Sequence, residues 1–86
     1  MKITRFWLTF KNPPKFNPLG IGCGVTAYSY EDALQILKER LFPSTGTLEV
    51  SEALPDVDMR MLDGGHVLPN MENAFQRGIW FPKGYR

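Results

Sequence analysis

One stretch of this chain repeats its apolar residues at helical spacing over three turns, and the stretches on either side alternate as strands do. A lone amphipathic helix must bury its stripe against something. Here the only partner on offer is a sheet built from the rest of the chain. The helix is predicted at 30–41. Tyr30, Ala33, Leu34, Leu37 and Leu41 fall on one stripe, and Gln35, Lys38 and Glu39 on the wet side. Ser29 is the N-cap, and Asp32, three residues on, can return a contact to the cap. Glu31 and Asp32 also suit the positive end of the helix dipole. Pro43 ends the helix by Phe42, because it disfavours helical geometry in the residue before it.

The strands follow from alternation. In 2–10, Phe6, Leu8 and Phe10 share one face and Ile3, Arg5, Trp7 and Thr9 the other. Three prolines at 13, 14 and 18 then force a loop. In 20–28, Ile21, Cys23, Val25 and Ala27 share one face, while Gly20, Gly22 and Gly24 leave the other bare. A bare glycine face predicts close approach of a backbone or a large ring. A third strand is expected at 47–51 and a last one at 78–81, closed by Pro82. Residues 52–63 fit either a short helix or an alternating strand; Asp63-Gly64-Gly65 is a good helix stop and favours the helix. A brief strand at 66–68 and one helical turn within 70–77 complete the reading. The fold class is therefore α+β. One domain of 86 residues has a four- to five-stranded mixed or antiparallel sheet, with the main helix on one face.

Composition narrows the setting. A single cysteine, Cys23, cannot form an intramolecular disulfide. No stretch approaches the roughly 20 apolar residues of a membrane span, and the N-terminus lacks the apolar core of a signal sequence. A soluble cytoplasmic protein is expected. Net charge is +1, but unevenly spread. Residues 1–15 carry Lys2, Arg5, Lys11 and Lys15 without an acid, and 77–86 carry Arg77, Lys83 and Arg86 without one. All nine acids lie between them, with only Lys38, Arg40 and Arg60 as bases.

No motif names a reaction. The glycines at 20, 22 and 24 precede the helix cap by too many residues for a phosphate loop, which needs them at the strand-to-helix turn. Cys23 with His66 could be a nucleophile and base, oriented by Asp63 or Asn70, but Cys23 shares its face with Ile21 and Val25 and reads as a buried hydrophobe. Asp56, Asp58, Asp63 and His66 match neither an EF-hand nor a zinc spacing and read as a solvated acidic strip. No cofactor is implied.

Surface chemistry is left. Trp7 and Trp80 lie on strands whose neighbours point the opposite way, so one ring of each adjacent pair is expected to be partly exposed. The partner-binding candidates are Trp7, Glu49, Glu52, Asp56, Asp58, Asp63, His66, Arg77 and Trp80. A non-catalytic protein-interaction module is the leading expectation, for instance a toxin-neutralising protein whose acidic strip meets a basic partner. Single-stranded nucleic acid is the second, through the basic, aromatic ends, provided the first and last strands are neighbours. A small enzyme using His66 is the third. An uncovered apolar sheet face would also favour a homodimer.

Overall fold

The computed structural model describes residues 3–11, 22–58, 65, 67, 71–82 and 84. Strands β1 (Thr4–Phe10), β2 (Cys23–Ala27), β3 (Val50–Leu54) and β4 (Gly78–Phe81) form one sheet in the order β3-β1-β2-β4. Every pairing is antiparallel. Helix α1 (Tyr30–Arg40) and the single turn α2 (Phe42–Thr45) lie between β2 and β3 in sequence. That connection carries the chain across β1, from one of its neighbours to the other.

The cap of α1 forms as its sequence dictates. Ser29 Oγ accepts from Asp32 N at 3.0 Å. The return contact goes one residue further back than a standard capping box, with Tyr28 N donating to Asp32 Oδ2 at 3.0 Å. The buried stripe of α1 is Ala33, Ile36 and Leu37, followed by Leu41. Tyr30 and Leu34 are displaced to the flank of the helix, where Tyr30 stays 37% exposed. Against the stripe pack Phe6, Leu8 and Phe10 of β1, Cys23, Val25 and Ala27 of β2, and Ile79 of β4.

The opposite face of the sheet is covered as well. Trp7, Trp80 and Phe81 form a second cluster with Val67 and Ala74, flanked by Val57 and Met71. The glycine face explains how. A Cβ on Gly24 would lie 2.5 Å from the Trp80 ring, and one on Gly22 2.6 Å from the Trp7 ring. The two indoles rest on bare backbone, with centroids 5.9 Å apart, and Phe81 stands 5.5 Å from Trp7. Non-strand chain seals this layer. Thr26 Oγ1 donates to Ala74 O at 2.5 Å, and Glu72 N to Trp80 O at 2.7 Å.

A register shift settles the expectation that Trp80 and Phe81 point to opposite faces. Gly24 pairs with Phe81 and Val25 with Ile79, so Trp80 is an extra residue on β4. Such a bulge turns successive side chains to one side. Both rings therefore enter the same cluster, 0% exposed, and Trp7 is buried beside them at 9%.

Other expectations shift. The third strand is Val50–Leu54 rather than 47–51, because Lys11 N binds Glu49 O and β1 pairs onward from Phe10↔Val50. The helix expected from 52 is replaced by the end of this strand. Bends at Pro55 and Asp56, the latter at φ 53, then turn the chain so that Val57 N reaches Arg5 O at 3.1 Å. Residues 59–63 lie outside the described residues, as do 66 and 68 of the brief strand expected there. Residues 71–77 hold irregular chain and a turn instead of a helical turn, with Phe75 N bound to Asn73 Oδ1 at 2.8 Å.

Gly24→Ala should lower stability by about 1–3 kcal/mol through overpacking against the indole. The urea midpoint measures this, and the effect of Gly24→Ala should shrink when it is made in a Trp80→Leu background. An unchanged midpoint for the single variant would contradict the close ring-on-backbone contact.

Candidate functional site

The residues singled out by sequence do not converge. Glu49, Glu52, Asp56 and Asp58 run exposed from the residue before β3, along the strand and past the bend after it, at one edge of the sheet. Arg77 precedes β4 at the opposite edge. Trp7 and Trp80 are interior, so neither offers a surface to a partner; the bulge at Trp80 and the glycine face of β2 account for both. Asp63 and His66 lie outside the described residues.

Arg77 serves the fold. Its Nε donates to Asp32 Oδ2 at 2.9 Å and a terminal nitrogen to Oδ1 at 2.5 Å, a bidentate pair tying the start of β4 to the first turn of α1. The Arg77 hydrogen bonds, helped by the one from Tyr28 N, hold the Asp32 carboxyl below the usual carboxylate range against the opposing effect of burial. Glu49 is met by Lys11 at 3.1 Å; both are well exposed, and such a pair contributes little.

Thiol chemistry loses ground. Cys23 is fully buried on the helix side of β2, and burial pushes its thiol far above the ordinary range, away from the thiolate a nucleophile needs. Among the described residues no group of three His, Cys, Asp or Glu is placed to hold a metal ion. The condition set for nucleic-acid binding is also unmet, since β2 separates β1 from β4 and the tryptophans that would stack on bases are buried. No helix among the described residues is long and apolar enough to cross a membrane.

The structure presents a feature the sequence left unnoticed. A groove of about 530 Å³ runs between the flank of α1 and the chain leading into β3. Tyr30, Leu34 and Lys38, one turn apart, form its first wall; Leu48 and Val50 form the second, and Phe42 closes one end. It exists because α1 packs over β2 and β4, on the far side of β1 from β3. The core-facing residues of β2 are accordingly fully buried, whereas Val50 and Ala53, their counterparts on β3, are only half-buried. The signal was present in the width of the helical stripe. Tyr30 and Leu34 extend it beyond what Ala33, Ile36 and Leu37 need to meet the sheet.

Comparison with known proteins adds no relative: no family model matches the chain, and neither a curated protein nor a solved structure shows significant similarity to it.

Because the Asp32 pKa is lowered in the folded state, the pair contributes stability above the ordinary carboxylate range and loses it as pH falls through the folded pKa. The stability gap between the wild type and Arg77→Ala should be full at pH 7 and close on acidification, followed by urea unfolding at each pH. A gap independent of pH would refute the pairing. The Cys23 thiol should resist an aromatic disulfide reagent at pH 8 in the native protein and react at once in denaturant.

Proposed function

We propose that this chain is a protein-interaction module that acts without catalysis, binding its partner at the edge of the sheet marked by β3. The groove between α1 and β3 carries the reading: an open, mainly apolar trough of about 530 Å³ on a small domain whose remaining described apolar clusters are internally satisfied. Apolar surface left beside a polar rim is the ordinary mark of a contact site. The acids Glu49, Glu52, Asp56 and Asp58 lie along the same edge and would steer a partner with complementary charge. A toxin-neutralising or regulatory protein falls within this class, since it needs a shaped surface and no catalytic constellation.

Affinity capture from the native host, with nuclease treatment, tests the reading. A stoichiometric protein should be retained by the wild type, lost with Leu48→Lys, and kept with Phe75→Lys, a control at an exposed apolar residue outside the groove lining. Matched urea midpoints would show that both variants are folded. Recovery that disappears with nuclease would favour nucleic acid. Retention by the Leu48 variant would remove the groove from the interface.

A further inference from the structure

We infer that the partner at the β3 edge is basic: a lysine- or arginine-rich segment of another protein, with apolar side chains between its cations. This deepens the protein-interaction reading above and rests on it.

The groove itself is close to neutral. Its lining holds one base, Lys38 on the helix wall, and one acid, Glu49 at the entry to β3. Leu34, Leu48 and Val50 supply its apolar surface. The negative charge lies just beyond, on the β3 side. Glu52 and Asp56 are exposed there, with no ion pair among the described residues. Asp58 adds a further acid after the bend. The bases that reach this edge are already engaged: Lys11 with Glu49, and Arg5 with Val57 O and the Phe75 ring.

The register divides the contact. Val50 and Ala53 pair with Phe10 and Leu8 and share their helix side; Glu52 pairs with Thr9 and faces the other way. Apolar and acidic contacts therefore sit on the two sides of one strand edge, with Val50 and Glu52 about 7 Å apart along it. Asp56 is held in place by the bend, at φ 53 with Val57 N bound to Arg5 O at 3.1 Å. A segment crossing the edge meets both surfaces at once, its apolar side chains in the groove and its cations over Glu52 and Asp56. It is held by side chains rather than by a new ladder. β3 has only five residues, its register shifts between Thr9 and Phe10, and Pro55 follows at once. These features keep an edge strand from pairing.

Other occupants meet opposing charge. An acidic segment or a nucleic acid brings more negative charge to an acidic rim. A second copy docking by two-fold symmetry sets the same patch against itself, acids facing acids. A basic segment reverses the sign of that interaction while leaving the groove to an apolar anchor.

Nuclear magnetic resonance titration of the whole chain with three synthetic peptides of equal length tests this. One has two central leucines flanked by arginines. The second has glutamates in place of the arginines, and the third has serines in place of the leucines. The arginine–leucine peptide should shift the amides of Leu34, Leu48, Val50 and Glu52 and bind at least fivefold tighter than either of the others. Raising salt from about 0.05 M to about 0.5 M should weaken it several-fold, because exposed charges are then screened. Glu52→Gln and Asp56→Asn should each weaken it about threefold, as exposed ion pairs allow. Asn tolerates the positive φ at 56, and matched urea midpoints would show that both variants are folded. Equal binding of the arginine and glutamate peptides would overturn the basic partner, and equal binding of the serine peptide would overturn the apolar anchor. Shifts confined to other surfaces, or none at millimolar peptide, would overturn the inference as a whole. Native-partner capture that is lost with Leu48→Lys but unchanged in the Glu52→Gln, Asp56→Asn double variant would also overturn it, while leaving the interaction module standing.

Discussion

Two indole rings lying on bare glycine backbone hold this domain in its shape. A Cβ at Gly22 or Gly24 would collide with Trp7 or Trp80, so the rings can approach the sheet only because those side chains are missing. The close approach brings Trp7, Trp80 and Phe81 into one cluster and gives the sheet a second buried face. With both faces covered, 86 residues secure two cores where a helix on one face would give one. The bulge at Trp80 belongs to the same arrangement, since without it Phe81 would point to the helix side. The contact has a cost: Trp80 Nε1 is buried without a hydrogen-bond partner among the described residues, a loss that the area buried by the ring must outweigh.

The helix side shows the opposite economy. One helix of 11 residues cannot roof four strands, and the Asp32–Arg77 pair ties its first turn to the β4 edge. The β3 edge is therefore left with a partial cover made from Phe42, Leu48 and the flank of α1. The groove is what remains between them. It coincides with the strip of exposed acids, so steering charge and apolar contact area lie on the same side of the molecule.

Much of the fold was legible beforehand. Phe6, Leu8 and Phe10 alternate so strictly that β1 and its core face followed directly, and Ser29 and Asp32 fixed the start of α1; Pro43 did not bar helical geometry at Phe42, which opens α2. The glycine spacing announced a ring on the bare face of β2. The region from Leu54 onward misled because Leu54, Val57 and Met61 fit a helix while Val57, Met59 and Met61 fit an alternating strand. What decided it was a distant hydrogen bond, Val57 N to Arg5 O, that no local pattern encodes. The candidate site was read less well. Trp7, Trp80 and Arg77 carry residue types enriched at interfaces, yet the same types stabilise small cores and tie elements together, and here they do so.

By itself the sequence determined the elements and their inner faces, because side-chain periodicity and capping act over a few residues. It also determined that Cys23 would be a buried hydrophobe, from the apolar company it keeps on β2. Strand order, the bulge that aligns Trp80 with Phe81, and the half of the sheet that α1 leaves uncovered were decided only by tertiary structure. These depend on which distant backbones approach closely enough to pair and pack. Tyr30 and Leu34 show the difference: periodicity placed them on the apolar side of the helix, but only the position of α1 over β2 and β4 made them the wall of a groove.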